Sequence, residues 1–235
     1  MSATLRSVQL TYEDVDRGDT PLGEVALRRY TTDDDRIGYE IRLGGNFLMA
    51  THGHHSESAM ARLAWERLAR RDDIRVLVGG LGAGYTLRAA LDLPSVRSVT
   101  VVEIAEKVVE WNRTWFRETN GGAVDDARTR VVVADLAEHL SANEDAYDLA
   151  LLDVDNGPGW LAALGNERLY TADGIRAALA ALRPGGVLAV WSPSPNELFW
   201  TRFREAISAA EEVATDAIGR SVGEPGDVVY LGVRS

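Results

Sequence analysis

From residue 74 onward, short continuous apolar runs alternate with longer stretches whose apolar residues recur at helical spacing. The runs Ile74–Gly80, Ser98–Ile104, Arg130–Asp135, Tyr147–Val154 and Val187–Ser192 read as strands buried on both faces. Helical periods lie between them: one to Leu93, one through Trp111 and Trp115, one over Thr171–Leu182 and one over Asn196–Ala210. The Arg183-Pro-Gly-Gly stretch reads as a turn, and residues 213–219 with 227–234 as an antiparallel pair. Before residue 56 the period is different. Ser7–Tyr12, Gly23–Tyr30 and Tyr39–Ala50 carry β-formers in rough alternation, separated by Asp/Gly-rich loops at Arg17–Gly23 and Thr31–Gly38. At Ser56, a candidate N-cap, a helix is predicted with Met60, Leu63, Ala64, Arg67 and Leu68 along one face. The pattern predicts an α/β fold: a mainly parallel sheet with helices on both faces over 56–235, preceded by a small antiparallel β unit over 1–55. Ligands of such sheets bind beyond the carboxyl ends of the strands, at the topological switch point.

The segment at those carboxyl ends that carries chemistry is Val76–Leu91. Gly79, Gly80, Gly82 and Gly84 sit where a strand turns into a helix, so backbone can turn tightly and approach a ligand. Glu103 closes the next strand about twenty residues on, where a carboxylate can accept from both hydroxyls of a ribose. The dinucleotide pattern wants a glycine three residues after its second one, and Tyr85 stands there after Gly82. The spacing Gly80, Gly82, Gly84 suits a nucleoside with a sulfonium tail better than a pyrophosphate. Two further acids follow at strand ends: Asp135 after the third and Asp153 after the fourth, with N-capping as the alternative role for such a carboxylate.

Composition narrows the picture. A net charge of -11 argues against nucleic acid as partner, because phosphate binding needs clustered Lys and Arg; it suits a cationic substrate or plain solubility. With no cysteine, thiolate metal sites, disulfides and a Cys nucleophile are excluded. Neither a signal-type apolar segment nor a bilayer-length apolar run is seen, so the cytoplasm is the expected compartment, with no membrane partner. His52, His54, His55 and Glu57 cluster in sequence, but adjacent histidines seldom converge on one ion, and no metal is expected.

Taken together, these segments resemble the spermidine synthase (polyamine aminopropyltransferase) family. The likeness runs through Gly38–Ala50, Thr51–Met60, Val99–Trp111, Tyr147–Gly159 and Glu167–Ser192. It implies a sheet of the S-adenosylmethionine-methyltransferase type, decarboxylated S-adenosylmethionine as donor, a small amine acceptor and a homodimer. Carried over residue by residue, Glu103 holds the ribose, Asp135 the adenine amino group, and Asp153 is the catalytic acid of an aspartate loop. His55 and Glu57 stand at the substrate entry, Asn156 in the acceptor loop, and Trp160 and Tyr170 are candidates for the pocket wall. Three positions depart from the family pattern. Gly82 replaces an aspartate, Asn156 replaces a second loop aspartate, and no tyrosine stands in the entry motif. They keep two other readings open: methyl transfer from S-adenosylmethionine itself, and a non-catalytic nucleoside-binding protein.

Overall fold

The computed structural model describes residues 10–51, 55–154, 157–159, 165–215 and 226–235, with only the backbone of residues 55, 57 and 58. Four antiparallel strands come first: β1 (Leu10–Thr20), β2 (Gly23–Thr32), β3 (Ile37–Leu43) and β4 (Asn46–Ala50), in that spatial order. The expected single strand Tyr39–Ala50 is two, because Gly44 and Gly45 both take positive φ and make a hairpin. The expected loop Arg17–Gly23 shrinks to Pro21-Leu22, since β1 stays paired with β2 as far as Thr20. One face of this sheet joins the main core, through Val25, Leu27, Ile41 and Leu43.

Helix α1 (His55–Arg67) follows and starts two residues earlier than a Ser56 cap implies, so Ser56 lies within it and is buried rather than capping it. The rest of the chain builds a seven-stranded sheet from β5 (Ile74–Gly79), β6 (Val96–Glu103), β7 (Thr129–Val133), β8 (Tyr147–Leu152), β9 (Leu182–Ser192), β10 (Ala210–Ala214) and β11 (Val228–Val233). Its order is β10-β11-β9-β8-β5-β6-β7, with β11 antiparallel to its two neighbours and the other pairs parallel. The interleaved helices are α2 (Tyr85–Asp92), α3 (Glu106–Arg113), α4 (Leu136–Ser141), α5 (Ala172–Ala181) and α6 (Glu197–Ala206).

Alternate residues of each central strand serve opposite faces, as the pleat dictates. Val76, Val78, Val99, Val101, Leu149 and Leu151 pack with α1, α2 and α3 and with the apolar face of the small sheet. Leu77, Val102, Ala150, Leu152, Leu188 and Val190 pack with α4, α5 and α6. The chain leaves β5 toward β6 and β7 and returns on its other side with β8, so the switch point falls at the carboxyl end of β5.

Some details differ from the sequence reading. Arg183–Gly186 is a bulge inside β9 rather than a separate turn, because Tyr147 faces Leu182 while Leu149 already faces Val187. Trp111 and Trp115 do not share a helix: α3 ends at Arg113, Trp111 is buried, and Trp115 is 43% exposed against Tyr39. The predicted third strand ends at Val133, not Asp135, and α4 follows at once, a helix too short to show a period in sequence. The last pairing is β10 with β11, which begins at Ala210 where a helix was expected.

Candidate active site

A cavity opens at the carboxyl ends of β5, β6 and β8, with the small sheet as its roof. Gly80, Gly82, Glu103, Asp135 and Asp153 all line it. Five of the residues singled out from sequence therefore converge from four separate segments. The roof is apolar and was not foreseen: Leu22, Val25, Ile41, Leu43, Leu48 and Met49.

Each polar group has a physical reason for its place. Glu103 accepts at Oε2 from the Leu81 N–H and at Oε1 from the Ala105 N–H, both at 2.9 Å. A carboxylate offers about four acceptor positions, and these two bonds fix the plane in which the others lie. The glycines differ in what they are needed for. A Cβ on Gly80, at φ +85°, would stand 2.2 Å from the Asp153 carbonyl oxygen, so only glycine fits there. Gly82, at φ +50°, faces open space, with Met49 the nearest neighbour at 4.0 Å. Gly84 does not line the cavity; it packs against Asn112 and Asn120.

Asp153 follows β8 and its N–H still bonds Gly79 as a ladder position would, at 2.9 Å. Its Oδ2 accepts from the Thr86 hydroxyl at 2.5 Å. Burial pushes the Asp153 carboxyl above the ordinary carboxylate range; the Thr86 bond opposes that shift and the negative charge of Asp227 adds to it. Asp135 both lines the cavity and caps α4, accepting from the Glu138 N–H at 3.0 Å and pairing with Arg168. Its carboxylate thus serves as the α4 cap while facing the cavity.

Tyr170 is buried edge-on against Phe199, and its hydroxyl donates to the Val154 carbonyl at 2.8 Å. It braces the segment after Asp153 and is not among the cavity-lining residues. His55 and Glu57 lie on α1, their side chains outside the described residues; His52, His54, Asn156 and Trp160 lie outside them altogether. Among the described residues, no three His, Cys, Asp or Glu gather as metal ligands, and no helix is long and apolar enough to cross a membrane. Sequence reading missed Thr86, Asn166 and Trp191. The last two line the cavity, and the Trp191 indole N–H has no partner among the described residues. Trp191 stands at the carboxyl end of β9, which is the one signal that pointed to it.

A spermidine synthase crystallised with the transition-state analogue AdoDATO has the same fold, with TM-score 0.78 and 18% identity over 94% of this chain and 74% of its own. Polyamine aminopropyltransferase 2 of Pseudomonas aeruginosa is 35% identical over 127 residues, 52% of this chain and 34% of the relative. That of Hyperthermus butylicus is 36% identical over 130 residues, 55% of this chain and 41% of the relative. The chain thus spans well under half the length of these curated relatives. The family model for the spermine/spermidine synthase domain matches residues 57–212, which is more than half of the chain. That span holds the glycine loop, Glu103, Asp135 and Asp153, and this chain belongs to the spermine/spermidine synthase family.

Proposed function

We propose that the protein transfers an aminopropyl group from decarboxylated S-adenosylmethionine to a small amine. One observation carries this reading: the glycine loop, Glu103 and Asp153 line a single cavity at the switch point of a spermine/spermidine synthase fold. The relatives bearing the name polyamine aminopropyltransferase support it.

In this reading Glu103 receives the ribose hydroxyls, oriented by its bonds to Leu81 and Ala105. Asp135 stands where the adenine amino group would reach, and the apolar roof excludes water from the sulfonium. The amine nitrogen attacks the carbon bonded to sulfur; the new C–N bond forms as C–S breaks, and the electron pair leaves on a neutral thioether. No acid is needed for that departure. The amine is the harder partner: with a pKa near ~10, about one molecule in a thousand is free base at pH 7. Asp153 takes its proton, and the raised affinity of that carboxyl for a proton makes it a better acceptor than an exposed aspartate. A homodimer and a cytoplasmic location belong to the same proposal, the first checked by sedimentation.

Calorimetric titration with decarboxylated S-adenosylmethionine, S-adenosylmethionine and methylthioadenosine tests the reading. Preference for the decarboxylated donor supports it. Preference for S-adenosylmethionine moves the assignment to methyl transfer, and binding of none of the three removes the donor site.

A further inference from the structure

Three glycines in left-handed conformation within five residues make a loop with little intrinsic shape. Its hydrogen bonds show what gives it one. The Leu81 carbonyl accepts from the Gly84 N–H at 2.7 Å and the Gly84 carbonyl from Arg88 at 2.9 Å. The two carbonyls between them are taken by side chains. Asn112 Nδ2 donates to the Gly82 carbonyl at 2.8 Å, and Asn120 Nδ2 to the Ala83 carbonyl at 3.2 Å.

The two amides are joined: Asn120 Nδ2 also donates to Asn112 Oδ1 at 2.8 Å. Each is anchored again from behind. Asn112 donates to the Val108 carbonyl in α3, and Asn120 Oδ1 accepts from the N–H groups of Gly122 and Ala123. Both side chains have zero exposure, so they are part of the interior although their partners are the rim of the cavity. A buried network satisfied at this many points has few alternative arrangements.

Its effect on the rim follows from the trans peptide, whose carbonyl and N–H point in opposite directions. With the Gly82 carbonyl drawn inward to Asn112, the Ala83 N–H points away from that bond, and both Gly82 and Ala83 line the cavity. Among the described residues, the Gly82 and Ala83 N–H groups are the donors of Gly80–Gly84 that no protein acceptor takes, since Gly80 bonds Val102, Leu81 bonds Glu103 and Gly84 bonds Leu81. We infer that Asn112 and Asn120 are positioning residues, a buried amide clasp that sets the glycine loop so that Gly82 and Ala83 present their N–H groups to the nucleoside-bearing donor. This rests on the donor reading above.

Hydrogen exchange of the Gly82 and Ala83 amides is followed in the unaltered protein with and without saturating methylthioadenosine, beside calorimetry on Asn112→Leu, which keeps the branching and removes the donor. The inference expects exchange at both amides to slow on binding. It also expects the variant to bind about tenfold more weakly or worse, with donor KM rising while kcat at saturation and amine KM hold. Unchanged exchange in a protein that binds the nucleoside overturns the clasp, whether or not the variant folds. So does a variant of lowered Tm but unaltered affinity, which marks the asparagines as structural only. No binding by the unaltered protein overturns the donor reading instead.

Discussion

At the scale of the residue, Asp153 is held at a cost. Its folded-state proton affinity is raised, so the stability that protonation confers is present at low pH and lost as pH rises through the raised value. Asn in its place keeps a partner for Thr86 and carries no charge. Asp153→Asn is therefore expected to raise Tm at neutral pH and to lower turnover by roughly 10²-fold or more, read by thermal unfolding beside an activity assay. In the unaltered protein, turnover falls as pH drops through the raised value of Asp153. The two glycines of the rim separate in the same way. Gly80→Ala is expected to cost about 3 kcal/mol, because strain at φ +85° adds to a clash with the Asp153 backbone. Gly82→Ala, with open space around it, is expected to cost about 1 kcal/mol from backbone strain alone. Urea unfolding distinguishes them.

At the scale of the element, β1 is tied to α3 through Asp16. The Trp111 indole N–H donates to Asp16 Oδ2 at 3.0 Å, and Lys107 reaches the same oxygen at 3.3 Å. The Trp111 bond, with lesser help from Arg17 and Lys107, holds the Asp16 carboxyl below the ordinary carboxylate range. Asp16 side-chain exposure is 37%, so solvent weakens the tie, and Trp111→Phe is expected to cost about 1 kcal/mol at neutral pH. The sign with pH is fixed. A lowered carboxyl contributes above its unfolded value and loses that contribution as pH falls through the folded one. The stability gap between Trp111→Phe and the unaltered protein should narrow on acidification, followed by urea unfolding at stepped pH.

At the scale of the whole molecule, the alternation of apolar runs and helical periods carried the architecture because each central strand is buried on both faces and leaves a continuous signal. Glu103 and Asp153 were legible because strand ends at a switch point are where such sheets bind ligands. What was not legible depends on contacts between distant segments. Nothing in the spacing of Asn112 and Asn120 announces that both reach the glycine loop, and nothing in β3 or β4 announces a roof over Gly82. Helix α4, at six residues, is shorter than two turns and shows no period. The central claim, aminopropyl transfer, is tested most directly by incubating the protein with decarboxylated S-adenosylmethionine and a panel of small amines and reading the nucleoside product by mass spectrometry. The account predicts release of methylthioadenosine, one for each amine alkylated. Absence of that release, or release of S-adenosylhomocysteine when S-adenosylmethionine is supplied instead, would contradict it.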